Sequence, residues 1–384
     1  MDTTFLEVEV TLVEPLGALR YQKFLPADSA VQYLDPAGEL TRSEARYAKP
    51  SDDRLIEMYR KMFLGRRFDQ QATALTKQGR LAVYPSSRGQ EACQIAAAMS
   101  LEPSDWLFPT YRDSMALAAR GVDPVQILSM LAGDWHCGYD PVALRSAPQC
   151  TPLATQLLHA AGVAYGESRR GLNTVALALC GDGATSEGDF HEALNFAAVF
   201  KAPVIFLVQN NGFAISVPLS RQSAAPTLAH KGVGYGIGSE QVDGNDPVAM
   251  MAVMDEAARF VRSGNGPVIV EAHTYRIDAH TNADDATRYR DSAEVETWLG
   301  RDPLPRLEKY LRAHDLIDDA FVESLTAEAE AEAATLRAGM NVDRPHDPLD
   351  LFRYVFAEQT PQLREQQAQL ETELAAEAAD TGGN

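Results

Sequence analysis

The sequence predicts an α/β fold with a mostly parallel central sheet. Two continuous apolar runs, "TVALALC" (174–180) and "PVIFLVQ" (203–209), are short enough to be strands buried on both faces, and a helical pattern at 187–201 separates them. A second unit repeats the order: "GSEQVDG" (238–244), a helix at 247–263, and "PVIVEAH" (267–273). Strand, helix, strand, repeated, implies parallel pairing through right-handed crossovers, with helices flanking the sheet.

The elements follow in order. Residues 1–50 lack sustained periodicity and turn at Pro26 and at Pro36 to Gly38. They read as an extended N-terminal arm, of the kind that packs on a neighbouring subunit, or as a disordered lead-in. Helical patterning begins at "SDDRLIEMYRKM", with Ser51 as the expected N-cap, acids in the first turn, and Gly79 as the terminator. Shorter helices are expected at 89–101, 111–121 and 124–132. Segment 134–152 is irregular, and a helix at 155–169 stops before Gly171. The α/β domain then runs to about 302, and 303–384 is expected to be helical, ending in a frayed acidic tail.

The chain has 384 residues and a formal charge of −20. That charge argues against nucleic-acid binding, which depends on Lys and Arg neutralising phosphates. Much of the excess lies in "LIDDAFVESLTAEAEAEAATL", expected to be a solvated helix face. No apolar run reaches the length of a membrane span, and "MDTTFLEVEVTLVEP" has neither a basic leader nor transit-peptide composition, so a cytoplasmic protein is expected. The four cysteines form no CxxC pair. Neither disulfides nor a zinc site is expected, and Cys180 reads as a small buried hydrophobe.

The stretch "GDGATSEGDFHEALNFAAVFKAPVIFLVQNN" (181–211) carries the chemistry. Asp182 follows the end of one strand and Asn211 follows the end of the next, in the region where open α/β sheets bind ligands. The helix starting near Glu187 turns its free N–H groups toward the same crevice, and Gly181 and Gly183 let backbone approach a ligand. A carboxylate, an amide oxygen and a phosphate-friendly helix terminus suit Mg²⁺ with a diphosphate, without saying which diphosphate. GDG alone is a weak signal, and an Asn pair weaker still; the combination across a βαβ unit is what is specific. There is no GxxxxGK[ST], and "GVGYGIG" (232–238) precedes its strand, which excludes a dinucleotide fingerprint.

With these residues in place, the chain resembles the E1 α-subunits of 2-oxo acid dehydrogenase complexes over about 50–360. The matching text includes "FPTYRDS", "PLATQ", "VDGNDP", "TYRIDAHTNADDATRYR" and "DPLPRLEKYL" as well as the stretch above. The resemblance implies a thiamine-diphosphate-binding fold and an α₂β₂ enzyme, inactive without the β-subunit that supplies the activating Glu. It also implies delivery of the acyl group to a lipoyl domain of E2. Asp182 and Asn211 would be Mg²⁺ ligands, with Phe213 adding its carbonyl. Tyr111 and Arg112 would hold the diphosphate, and Gly181, Gly183 and Ala184 would line it. Leu153 would meet the aminopyrimidine through backbone, Ile215 would sit under the bent cofactor, and His280 would be the catalytic His. Proton transfer there would draw on histidine's ordinary titration range. Thr281 stands where mitochondrial relatives carry a regulatory phosphorylated Ser, so that regulation is not expected.

Three features depart from the family pattern or suggest something else. Loop 134–150 is short, and Gln209 stands where some relatives place a basic residue, which would remove one phosphate contact. His136 and Cys137 lack further ligands and read as a structural loop. "SEGDFHEALNFA" and "NNGFAIS" resemble branched-chain enzymes more than many pyruvate enzymes, and that resemblance implies a branched-chain 2-oxo acid as substrate. Pyruvate and acetoin enzymes are the alternatives, and a non-catalytic assembly subunit a remote one. A transketolase would carry both halves of the site in one longer chain.

Overall fold

A computed structural model describes residues 24–41, 46–134, 136–342 and 347–381. The expected arm therefore lies outside the described residues at 1–23 and 42–45.

The first part of the chain forms α1 (Asp52–Lys77), α2 (Glu91–Met99), β1 (Trp106–Phe108), α3 (Ser114–Ala119), α4 (Pro124–Ser129) and α5 (Thr155–Arg169). Then come β2 (Ala176–Gly181), α6 (Gly188–Phe200), β3 (Val204–Asn210) and a small ribbon, β4 (Phe213–Ala214) with β5 (Val217–Pro218). A short α7 (His230–Gly234) leads to β6 (Gly238–Asp243), α8 (Pro247–Arg262) and β7 (Val268–His273). The helices α9 (Ser292–Leu299), α10 (Pro303–Ala313) and α11 (Asp319–Met340) follow. Ser51 occupies the N-cap position of α1 as expected, but its side chain caps nothing.

Five strands make one parallel sheet in the order β1-β2-β3-β7-β6. The chain moves in one direction from β1 to β3 and in the opposite direction from β6 to β7. With right-handed crossovers, that reversal places α5 and α6 on one face and α8 on the other. Alternate strand residues face α5 and α6: Ala176, Ala178 and Cys180 from β2, and Val204, Phe206 and Val208 from β3. The helices answer with stripes of helical spacing, Leu157, Ala160, Ala161 and Ala164 on α5 and Phe190, Ala193, Leu194 and Ala197 on α6. Small residues on both sides let helix and sheet approach closely. On the opposite side α8 meets α2, which α1 covers in turn.

Residues 24–41 lie along the free edge of the sheet in this same chain. Val31 bridges Val242 in parallel, Ser239 N–H donates to Phe24 O at 3.0 Å, and Asp243 N–H donates to Val31 O at 3.0 Å. An edge strand left open is a site for unwanted pairing, and this strap covers β6. It is locked by Asp246. One carboxylate oxygen accepts from Tyr33 N at 2.6 Å and Leu34 N at 2.7 Å; the other caps α8 through Val248 N at 3.0 Å and Ala249 N at 3.1 Å. Burial pushes the Asp246 carboxyl up to about 6, opposed by the fully buried Arg306. Arg306 donates to Asp243 Oδ2 at 2.9 Å and to Asp35 O at 2.9 Å.

Residues through Gly339 form one compact unit and 340–384 a second, so α10 and most of α11 belong with the sheet. The acidic run expected to be merely solvated also makes ion pairs: Glu330 with Arg67 at 2.7 Å, and Glu328 with Arg60. The second unit contains α12 (Asp350–Arg353) and α13 (Pro361–Thr381). The tail expected to fray is helical to Thr381. Among the described residues no helix is long and apolar enough to cross a membrane.

Asp246→Ala removes four acceptor contacts and leaves Arg306 short of a buried counter-charge. It should lower the unfolding free energy by about 3–5 kcal/mol, the cost of breaking a buried pair, measured by urea denaturation. Asp246→Asn, which keeps a side-chain acceptor, should cost less.

Candidate active site

The sheet register fixes the frame. Gly181 pairs with Gln209, Asn210 with His273, and Asp243 with His273, so the strands end level with one another. Beyond those ends lies a cleft lined by each cofactor-site residue that the resemblance implied: Tyr111, Arg112, Leu153, Gly181, Asp182, Gly183, Ala184, Asn211, Phe213, Ile215 and His280. It also contains Gln90, Thr110, Glu187, Gln209, Ala214 and Arg276.

Asp182 opens a 3₁₀ turn (Asp182–Ser186) between β2 and α6 and is 1 % exposed. Its Oδ2 accepts from Gln222 Nε2 at 2.8 Å; its Oδ1 is buried and has no hydrogen-bond partner. Burial raises its pKa, and the Gln222 contact opposes the rise. The turn itself is tied down by Lys231, whose Nζ donates to Thr185 O at 2.7 Å, while Thr185 Oγ1 donates to Asp182 O at 2.8 Å. Gly183 must be glycine here: a Cβ would come within 2.7 Å of Ala214 Cβ.

A relay of neutral amides orients Asn211. Its Nδ2 donates to Gln90 Oε1 at 3.2 Å. Gln90 Nε2 donates to Gln209 Oε1 at 2.9 Å, and Gln209 Nε2 donates to Asp113 Oδ1 at 2.7 Å. Because each nitrogen faces an oxygen, the relay fixes Asn211 with Oδ1 away from Gln90, accepting from Phe213 N at 3.2 Å. Gln209 is therefore a structural member of the site, whose side chain is taken up by Asp113 and Gln90.

Positive charge gathers on the other wall. Arg112 Nη1 donates to Ser86 O at 2.8 Å and Nη2 to His280 O at 2.9 Å. Arg276, 2 % exposed, donates from Nη2 to Ile215 O at 2.7 Å and to Tyr289 OH at 2.8 Å. These acceptors are all uncharged. Both guanidiniums also face His280 Nδ1, at 3.1 Å and 3.3 Å. A guanidinium has no lone pair to offer, so Nδ1 must be the acceptor and the ring proton sits on Nε2. Burial, then Arg112 and Arg276, pull the His280 pKa down to about 4. This departs from the titration range expected from the sequence: in this geometry the imidazole is neutral at pH 7. The Tyr111 ring packs edge-on against it, with centroids 6.1 Å apart.

The His280 loop is anchored twice. Asp284 Oδ2 accepts from His280 N at 2.7 Å and from Tyr289 OH. At Asp278, the Ser86 hydroxyl lies 2.7 Å from that carboxylate and 2.7 Å from Asp69. Burial raises the Asp69 pKa, opposed by its contacts with Ser86, Ser87 N–H and Tyr84. Ile215 holds the turn of the ribbon at φ +56°, a costly conformation for a β-branched residue, with its side chain 56 % exposed in the cleft.

Gln90, Gln222 and Arg276 were not singled out as site residues from the sequence. Gln90 and Gln222 lie far from the glycine motif in the chain. His136 and Cys137 stay within their loop, where Cys137 Sγ donates to Tyr139 O and Gly138 N donates to His136 Nδ1. Among the described residues no group of three or more His, Cys, Asp or Glu could hold a metal ion. A cation at Asp182 would need oxygens from Asn211, backbone and ligand.

A polar cleft at the level carboxyl ends of its strands is where an open α/β sheet binds its ligands. The chain belongs to the dehydrogenase E1 component family, whose model matches residues 59–338, and within it to the α-subunits of 2-oxo acid dehydrogenases, the enzymes of oxidative 2-oxo acid decarboxylation. It is 44 % identical over 345 residues to the 3-methyl-2-oxobutanoate dehydrogenase subunit alpha of Mycobacterium tuberculosis, covering 90 % of this chain and 94 % of the relative. It is 37 % identical over 338 residues to the pyruvate dehydrogenase E1 component subunit alpha of Staphylococcus epidermidis, covering 88 % and 91 %. The Staphylococcus aureus protein of that name is 37 % identical over 316 residues, covering 82 % and 85 %.

An anion in the cleft should favour the imidazolium. The His280 pKa, about 4 in the ligand-free protein, should rise when pyrophosphate is added, because the anion offsets the field of Arg112 and Arg276. Titration of the histidine NMR signals, assigned with His280→Gln, checks the sign; an unchanged value would mean that pyrophosphate does not bind beside these groups.

Proposed function

We propose that this chain binds thiamine diphosphate with Mg²⁺ in the cleft and, paired with a β-subunit as α₂β₂, decarboxylates branched-chain 2-oxo acids and passes the acyl group to a lipoyl domain. The observation that carries the reading is a charge pattern. A buried carboxylate oxygen without a partner, on Asp182, shares a cleft with two guanidiniums bonded only to uncharged acceptors. A divalent cation answers the first and a diphosphate the second, and the two bind each other.

The residues fit that pair of groups. Asp182 and Asn211, with the Phe213 carbonyl, would hold the cation, whose remaining positions belong to water and phosphate oxygens. Arg112 and Arg276 would hold phosphate oxygens, with Tyr111 beside them. The backbone of Gly181, Gly183 and Ala184 would border the diphosphate, Leu153 the aminopyrimidine, and Ile215 would support the bent shape of the cofactor. Thiamine diphosphate, when bound, supplies the carbon nucleophile and the electron sink that decarboxylation of a 2-oxo acid requires. His280 would donate from Nε2, held in that tautomer by two guanidinium N–H groups on Nδ1, and would exchange protons more readily once phosphate oxygens offset those cations.

The substrate assignment is supported by the likeness to the 3-methyl-2-oxobutanoate dehydrogenase subunit. Pyruvate is the second reading, favoured by the two pyruvate dehydrogenase subunits. The two acids differ by a small aliphatic group, worth about 1–3 kcal/mol per methylene.

Two measurements test this. Co-expressed with its β-subunit and assayed with an artificial electron acceptor, the enzyme should show at least roughly tenfold higher kcat/KM for 3-methyl-2-oxobutanoate than for pyruvate; the reverse order would assign it to pyruvate. Separately, Asp182→Ala should abolish Mg²⁺-dependent binding of thiamine diphosphate in calorimetry, and unchanged affinity would refute the cofactor site.

A further inference from the structure

Gln222 lies outside the glycine motif, directly after a 3₁₀ turn (Leu219–Arg221) that follows the β4–β5 ribbon. Its Nε2 donates to Asp182 Oδ2 at 2.8 Å and to Val217 O at 2.9 Å. Val217 O is a main-chain carbonyl with no proton to give, so the amide atom facing it is nitrogen. The reverse amide orientation would set Oε1 against that carbonyl oxygen. One side chain thus joins the Asp182 turn to the ribbon that carries Ile215. Its own Oε1 is left buried and without a partner, near Gly183.

The consequence lies in what remains of Asp182. With one lone pair of Oδ2 engaged by an N–H donor, the oxygen of the carboxylate left without a donor is the buried Oδ1. Mg²⁺ requires near-octahedral coordination and takes carboxylates through one oxygen. Ca²⁺ is larger, accepts six to eight ligands, and readily takes both oxygens of one carboxylate. We propose that Gln222 is a positioning residue that sets cation selectivity: by holding Asp182 Oδ2 it confines the carboxylate to one-oxygen coordination and so favours Mg²⁺ over Ca²⁺. This rests on the reading that Asp182 and Asn211 hold the cation of a diphosphate cofactor. Gln222 would not touch the cation; it acts through Asp182, as partners of metal ligands do in general.

The test uses the chain co-purified with its β-subunit and stripped of metal by chelation. Thiamine diphosphate affinity is measured by calorimetry over a range of Mg²⁺ and, separately, of Ca²⁺. Gln222→Met keeps the length and removes the donor; Gln222→Asn keeps an amide too short to reach and serves if the Met variant does not fold. Loss of the donor should weaken Mg²⁺-supported binding about 10- to 100-fold. Ca²⁺-supported binding should fall less, so that the Mg²⁺/Ca²⁺ preference narrows by about tenfold or more. An unchanged preference overturns the proposal, whether both affinities drop together, as for a purely structural role, or neither drops. Failure of the unsubstituted enzyme to bind thiamine diphosphate with either cation would instead sink the cofactor reading on which the proposal rests.

Discussion

The register that pairs Gly181 with Gln209 and Asn210 with His273 ends three neighbouring strands at one level. Three parts of the cleft hang from those ends: the Asp182 turn from β2, Asn211 and the ribbon from β3, and the His280 loop from β7. A shift of the pairing would carry Asp182 away from Asn211 and turn core residues outward. The hydrophobic faces of β2 and β3, buried against α5 and α6, make such slippage costly. Core packing thereby sets the geometry of a polar site.

That site keeps opposite charges on separate walls. Asp182 is buried with one oxygen unpaired, and Arg112 and Arg276 are buried with no carboxylate among their hydrogen-bond partners. Buried charge without a counter-charge destabilises a fold, and this one stands because main-chain carbonyls, Tyr289 OH and the neutral His280 satisfy part of the demand. An ion pair across the cleft would have filled it. The proposed cation and diphosphate would satisfy these unspent interactions, and phosphate oxygens there would offset the field that keeps His280 neutral.

Amides do the orienting. The Asn211–Gln90–Gln209–Asp113 relay and the Gln222–Asp182 contact hold the cleft's oxygens without adding charge. Gln209 accepts from Gln90 and donates to Asp113, so an uncharged side chain completes the relay at this position.

Much was legible in the sequence because it is local. Apolar runs of strand length, helical spacing between them, and an Asp and an Asn after successive strands specify the βαβ unit and which residues flank its carboxyl edge. The short β1, the ribbon, α7 and α9 were not read from the sequence, although α3 and α4, six residues each, lie within helices that were. The strap on β6 was not visible either, because its apolar residues follow no regular spacing. Only the tertiary structure decided which groups meet. Gln90 and Gln222 reach Asn211 and Asp182 from distant segments. The depressed pKa of His280 depends on two arginines, one from the β1–α3 loop and one beyond β7. Residue type and local spacing determine what chemistry a chain carries, while charge environment and hydrogen-bond partnership are set by through-space distances that no linear pattern records.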